Sequence, residues 1–314
     1  MDIEQLTIFI RVATLKNFTR AAASLFLSQP TISARIKSLE EELGVVLFDR
    51  SRNRELTLTE EGIIFWDYAQ QIVNNYNQAI DRLRQEKDNI TGLLQIGASS
   101  VPGTYILPRI LQEYKKEYHQ VKTSVYVKDS AEIINDVANY ALDIGMVGYM
   151  EDDPRLNYIS IAKDELCLIT PPGWLKLQGY KRGDSIPVDV LLNLDFIMRE
   201  PGSATRKVLE QKLNEEGYTL GNLKSVVYMD SLEGIKQSVR EGLGVSVVSK
   251  LSVEDYLSLG LVDDYNLGYL SLKRDFFVVY HKQRVLNNAA SSFLRFMQNN
   301  NQNYEINTVN GKVR

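Results

Sequence analysis

Cysteine and histidine are nearly missing from this chain. A single cysteine, Cys167, cannot close an internal disulfide, which excludes a stapled extracellular scaffold. His119 and His281 stand far apart with no cysteine beside them, so no metal-ligand spacing forms and no metal site is expected. Also missing is any run near the ~18 apolar residues that a membrane span requires. The start, Met1-Asp2-Ile3-Glu4-Gln5, has neither the cationic stretch nor the apolar core of a secretory signal, and the expectation is a cytoplasmic protein without a membrane partner. No Ser-His-Asp order is visible, nor a G-x-G-x-x-G run after the strand around Gly97, so neither an enzyme nor a bound cofactor is expected. Cys167, Trp174 and the two histidines read as packing or surface residues.

Positive charge is not in surplus either. Lys and Arg number 36 against 40 Asp and Glu, a net charge of −4, where polyanion binders are commonly basic. The total conceals a distribution. Residues 1–60 carry eight of each sign, and their cations gather at Arg35 and Lys37 and at Arg50, Arg52 and Arg54, away from Glu40, Glu41 and Glu42. A basic face inside a neutral segment is therefore available to nucleic acid. With 44% hydrophobic residues over a length of 314, the chain has apolar material for two or three cores of ordinary size.

Leu6, Phe9, Ile10 and Ala13 recur at helical spacing and predict a first helix with one apolar stripe. Thr19 is placed as the cap of a second helix through Ala21 to Phe26, with Leu27 as an inward-packed turn residue. Ser28 is placed as the cap of a third, with Pro30 in its first turn, where a missing N–H costs nothing, and Ile32, Ile36 and Leu39 on the buried side. The opposite side presents Gln29, Thr31, Ser33, Ala34, Arg35 and Lys37, short polar and cationic groups able to read base edges and hold phosphates. Ser28, Gln29, Pro30, Thr31, Ser33, Arg35 and Lys37 are thus the expected DNA contacts of this helix. Downstream, Asp49 to Leu58 reads as a small hairpin whose tip carries Arg50, Arg52 and Arg54, a wing suited to phosphates and a narrow minor groove. On pattern alone, a three-helix domain with solvated outer charges fits equally well.

The run Phe18-Thr19-Arg20-Ala21-Ala22-Ala23-Ser24-Leu25-Phe26-Leu27-Ser28-Gln29-Pro30-Thr31-Ile32-Ser33 is followed by Ile36-Lys37-Ser38-Leu39-Glu40, Leu43-Gly44 and Leu47-Phe48-Asp49-Arg50. Together they resemble the winged helix-turn-helix of LysR-type transcriptional regulators, densely over residues 1–65 and more loosely beyond. Leu58-Thr59 and Gly62 match the family's close of the wing before a long linker helix. Along that helix Phe65, Ala69, Ile72, Tyr76, Ala79 and Leu83 alternate by four and three, a near-heptad seam. Such a seam packs either on the protein's own body or on a second chain; the resemblance implies the second, hence a dimer or tetramer. The resemblance further implies double-stranded DNA with an interrupted inverted repeat as partner, a small-molecule effector, and RNA polymerase as a further candidate partner.

From Gly92 onward strands and helices alternate, predicting an α/β sensor with a mostly parallel sheet. The resemblance implies the two-subdomain architecture of type 2 periplasmic binding proteins, its crossing strands placed near Ala162 to Asp164 and near Asp264 to Leu267. The expected fold class is α/β with an all-α-type winged helix-turn-helix at the N-terminus. The divisions read 1–58 for the DNA-binding domain, 59–90 for the linker helix, 91–163 with 267–300 for the first sensor subdomain, 164–266 for the second, and 301–314 for a flexible tail.

Open parallel sheets bind ligands beyond the carboxyl ends of their strands. The turns there carry Ser99, Ser100 and Thr104, then Ser130, then Ser203 and Thr205, then Ser231, with Arg199 ending its strand. Each hydroxyl alone can be a helix cap. Their convergence at helix N-termini, with Arg199 added, points to a small anion as effector. The segment from Arg199 to Arg206 resembles the sensor segment of members governing sulfur assimilation or carbon fixation. A solute-binding protein and an enzyme on the same scaffold are the alternatives; the recognition helix and the missing catalytic set count against them.

Overall fold

The computed structural model describes residues 1–49, 56–83, 90–268, 270, 272–284 and 286–300. They fall into two compact units, Met1–Gly92 with Gln283–Ser291, and Leu93–Lys282 with the segment from Ser292.

The first unit begins with α1 (Ile3–Leu15), α2 (Phe18–Ser24) and α3 (Gln29–Leu43). Asp2 opens α1 through a reciprocal capping box with Gln5. The cap of α2 is Asn17, not Thr19: Asn17 is extended and its side chain accepts from the Arg20 N–H, whereas Thr19 already lies inside the helix. Ser28 caps α3, and Gly44 ends it in the left-handed region. Ile32, Ile36 and Leu39 are fully buried with Leu6, Phe9, Val12 and Ala21, so the three helices share one core. The wing's base is a pair of antiparallel strands, β1 (Phe48–Asp49) and β2 (Thr57–Leu58); Arg50, Arg52 and Arg54 lie outside the described residues. Next comes α4 (Glu60–Leu83). At Gly62 a Cβ would stand 2.1 Å from the Leu47 carbonyl oxygen, so only glycine lets α4 start this close to the wing.

The second unit is built on β3 (Gly92–Ala98), α5 (Leu107–Glu117), β4 (Val121–Val127), α6 (Ser130–Ala138), β5 (Ile144–Val147) and β6 (Leu156–Thr170). It continues with α7 (Val188–Leu192), β7 (Asp195–Arg199), α8 (Ala204–Glu215), β8 (Lys224–Met229), α9 (Leu232–Arg240) and β9 (Ser246–Ser249). The last elements are α10 (Glu254–Ser258), β10 (Asp263–Tyr265), β11 (Lys273–His281) and α11 (Asn288–Asn299), the last belonging here from Ser292. A seven-stranded sheet runs β10-β6-β11-β5-β3-β4, with β9 also beside β6; β3 and β5 are parallel, as a helical crossover between them requires. The parallel pair β7 and β8 attaches next to β9, where the Ile197 N–H donates to the Val245 carbonyl at 2.8 Å.

Strand β6 belongs to two subdomains. Its first part, through Glu165, pairs with β11, while Leu166 onward pairs with β9 and β10. The return strand is β11, from Lys273, and not the stretch Asp264 to Leu267 that the sequence suggested. That stretch stays in the second subdomain because β10 pairs back onto Leu168–Thr170, and Tyr265, Leu267, Leu270 and Leu272 are buried with Leu166, Leu191 and Phe196. The first subdomain has its own core of Ile133, Val137, Leu142, Val147 and Val279. Each such side chain, fully buried, is worth about 1.5–3 kcal/mol, so each subdomain is held from within and the crossing strands connect two solid bodies.

Candidate functional site

On the solvent side of α3, Gln29, Thr31 and Lys37 are exposed and Ser33 and Arg35 half-buried. The Ser28 hydroxyl accepts the Thr31 N–H at 3.3 Å and lies 2.8 Å from the Thr31 hydroxyl, so the cap engages both. Gln29 Nε2 donates to Ser33 Oγ at 2.9 Å, and Lys37 stands 3.6 Å from Glu41 one turn on. Arg35 is tied back to α1: Nη1 lies 3.4 Å from Asp2 Oδ2 and Nη2 3.1 Å from Glu4 Oε2. These are solvent-exposed ion pairs worth at most about 1 kcal/mol, which a phosphate can displace.

The apolar residues of α4 divide between two faces. Phe65 and Ala69, expected on a pairing seam, instead complete the unit's own core: Ala69 is fully buried and the Phe65 ring lies 5.1 Å from Phe9. Ile72, Tyr76 and Ala79 do face solvent, and the side chain of Leu83 lies outside the described residues. The open stripe runs through Ile64, Tyr68, Ile72 and Tyr76, exposed by 62%, 61%, 38% and 48%. Its spacing is four throughout. The four-and-three pattern mixed one inward with one outward face, which periodicity alone could not separate.

In the second unit the carboxyl ends of β3 and β7 and the starts of α6 and α8 line a narrow cleft of about 20 Å³. Ser99, Ser100, Ser130, Arg199, Ser203 and Thr205 line it. Thr104 does not: it is exposed, on a wide π turn over Pro102–Ile106 that precedes α5. Ser231 caps α9 through the Gly234 N–H and borders an adjoining hollow with Ser100 and Asp129. Ser203 sits at the N-cap of α8 without using its hydroxyl to cap, so the hydroxyl and the first-turn N–H groups face the cleft side uncommitted. At Gly202 a Cβ would fall 2.4 Å from the Asp129 carboxylate; glycine lets this turn close on the start of α6.

Arg199, 5% exposed, gives Nε and Nη2 to the Glu200 carboxylate at 2.7 Å each, and Nη2 also reaches Ser100 Oγ at 3.3 Å. It is not the only cation there. Arg274 of β11 enters the same cleft, directly opposite Asp164 in the β6–β11 register. Its Nε donates to Asp164 Oδ2 at 2.8 Å, Nη1 donates to Thr205 Oγ1 at 3.2 Å, and the guanidinium lies 4.8 Å from the Phe276 ring centre. Nη2 stands 2.8 Å from Asp164 Oδ2 yet makes no hydrogen bond. Burial pulls the Arg274 pKa below its ordinary value and Arg199 adds to that, while Asp164 opposes both. Sequence reasoning missed Arg274, Asp164 and Phe276, since an arginine heading an apolar strand reads as solvated until its cross-strand partner is known.

Two lysine–tyrosine contacts lie elsewhere in the second unit, neither among the residues that line the cleft. Lys207 Nζ lies 3.8 Å from the Tyr149 ring centre and 2.8 Å from Glu151, whose carboxyl it holds below the usual range by hydrogen bonding. In the second contact Lys236 donates to the Tyr105 hydroxyl at 3.2 Å, and Tyr105 donates to the Ser252 carbonyl at 3.2 Å. Among the described residues no group of His, Cys, Asp and Glu is arranged to hold a metal, and no helix is long and apolar enough to cross a membrane.

A family model described as the LysR substrate binding domain matches residues 87–302, and one described as a bacterial regulatory helix-turn-helix protein, lysR family, matches residues 3–63. A probable RuBisCO transcriptional regulator of Cyanidioschyzon merolae is 32% identical over 300 residues, covering 95% of this chain and 97% of its own. Full-length OxyR from Pseudomonas aeruginosa shares the fold with a TM-score of 0.74 at 19% identity, covering 96% of this chain and 95% of that one. The regulatory domain of Synechocystis CcmR, in complex with 2-PG, gives a TM-score of 0.61 at 23% identity over 68% of this chain and 100% of that one.

Proposed function

Because this chain belongs to the LysR family of transcriptional regulators, we propose that it grips an interrupted inverted repeat in double-stranded DNA as a homo-oligomer and shifts that grip when a small anion enters the cleft. The exposed side of α3 and the arginines of the wing supply the DNA contacts, and the stripe Ile64, Tyr68, Ile72 and Tyr76 supplies the pairing surface. The protein acts in the cytoplasm, as a regulator and not as an enzyme.

One observation carries the anion reading: the buried Arg274 guanidinium lines the cleft, and its Nη2, ion-paired with Asp164 at 2.8 Å, has no aligned hydrogen bond. An anionic oxygen in the cleft can accept that N–H in line, a charge-assisted hydrogen bond worth about 1.5–3 kcal/mol. Beside it the Ser203 hydroxyl and the start of α8 offer further donors. The 2-PG held by the CcmR regulatory domain is a phosphorylated carboxylate, and the relatives named as RuBisCO regulators make such metabolites of carbon fixation the first to try.

Footprinting on DNA flanking the protein's own gene tests the first part, and a protein that protects nothing overturns it. Thermal shift with sulfate, thiosulfate, phosphate and 2-PG tests the second. An anion at a hundredfold excess over its Kd should stabilise by about 2.7 kcal/mol. Ser203→Ala should weaken that gain and Arg274→Gln abolish it. No stabilisation by any of the four, or full stabilisation of Arg274→Gln, overturns the anion reading.

A further inference from the structure

The turn between α2 and α3 holds an aromatic ring almost wholly in water. Phe26 is 97% exposed, so its ring has nothing in the fold to pack against. Its backbone lies at φ 56, the left-handed region, where a side chain with a Cβ is strained. The turn itself is fixed by main-chain bonds, from the Phe26 N–H to the Ala23 carbonyl at 3.3 Å and from the Leu27 N–H to the Ala22 carbonyl at 3.0 Å. The backbone needs this conformation; it does not need the ring. Glycine or asparagine would serve the turn at less cost.

A large apolar group that is both strained and solvated earns its place through a partner. Ser28, two residues on, caps α3, so Phe26 stands at the end of that helix which carries Gln29 and Thr31. We propose that Phe26 is a specificity residue whose ring packs on a thymine C5-methyl in the major groove, beside the base edges met by α3. This rests on the DNA reading above. The thymine methyl is the apolar group that the major groove displays, and a phenyl ring complements it where it could not serve a phosphate or a polar base edge. Being uncharged, the ring displaces no counterions, which separates its contribution from that of the arginines.

The test uses the full chain, its footprinted site and random DNA, with Phe26→Gly and Phe26→Leu. Phe26→Gly melts at or above the wild-type temperature, because strain is relieved and no packing is lost. Its affinity for the site falls about fourfold, the worth of one buried methyl, with unchanged affinity for random DNA and an unchanged log-salt slope. Phe26→Leu recovers part of the loss. Replacing single thymines by uracil, which deletes only the methyl, costs the wild type a similar factor at one position per half-site and costs Phe26→Gly nothing there. Wild-type affinity in Phe26→Gly, an equal loss on random DNA, or uracil penalties identical in both proteins would overturn the assignment. A wild type that protects no DNA removes the DNA reading and this inference with it, a result distinct from any confined to Phe26.

Discussion

Removing the carboxylate of Asp164 should leave a charged, buried Arg274 without its partner. The two side chains, 3% and 5% exposed, oppose each other on β6 and β11 with N and O 2.8 Å apart. Breaking a buried pair from one side costs about 3–5 kcal/mol, since the surviving charge keeps its desolvation penalty and loses its compensation. Ser249, which donates to Asp164 at 2.7 Å, loses its acceptor too, so the upper part of that range is expected. At about 2–4 °C per kcal/mol for a body of this size, Asp164→Ala should melt roughly 6–20 °C lower. Calorimetry of Asp164→Ala, Arg274→Met and the double variant gives the coupling directly. The double variant, freed of both charges, should recover about 1–3 kcal/mol relative to the sum of the singles. Sulfate or phosphate should raise the melting temperature of Asp164→Ala by more than it raises that of the wild type, because the anion now meets an uncompensated guanidinium. Additive single losses, with no extra gain from anions, would refute both the pair's role at the crossing strands and the reading of the Arg274 guanidinium as an anion site.

Four other outcomes are expected. Burial pushes the Tyr114 phenol up to about 12, against about 10 in an unfolded chain, so the fold holds that proton longer and stability declines as pH rises between those values; Tyr114→Phe should flatten this part of an alkaline unfolding curve, and an unchanged slope counts against it. Arg35→Gln should make the log-salt slope of DNA binding shallower by about one unit, whereas an unmoved slope means that Arg35 stays on Asp2 and Glu4 and never reaches a phosphate. Tyr68→Glu with Ile72→Glu should yield a folded monomer by sedimentation, while Phe65→Glu should unfold the first unit; the reverse pattern would restore the four-and-three seam. Asn17→Ala should cost about 1 kcal/mol and Thr19→Ala much less, measured by urea unfolding, and equal losses would return the cap to Thr19.

Legibility from sequence followed the distance over which each feature is written. The core side of α3 was readable because Ile32, Ile36 and Leu39 lie within about three turns of a capping Ser28. The second cap went astray by two residues because Asn17 and Thr19 are both good caps, and only the extended backbone at Asn17 decides between them. The phase of α4 was ambiguous for a related reason: both its faces are apolar, one for the core and one for solvent. In the cleft, six of the predicted residues converge because strand-to-helix turns gather at one edge of a parallel sheet whatever the details. Thr104 lies off the cleft because the turn it was read into continues as a π turn, on which its side chain is exposed. Asp164 and Arg274 were invisible because their meaning is created by a register between strands far apart in the chain, and nothing local marks either one.

Strand β6 has a mechanical consequence. Residues Leu156–Thr170 run unbroken from one half of the sensor into the other, and β11 lies alongside with an irregularity between Phe276 and Phe277. The two halves are therefore joined by a laddered ribbon and not by a loose joint. A ribbon of this kind resists bending across its plane and yields most readily to torsion, and a bulge concentrates that yielding at one point. The soft point sits two residues from Arg274, whose guanidinium reaches across to Thr205 at the start of α8. Any displacement of the start of α8 against Arg274 would therefore load the ribbon where it is easiest to wind.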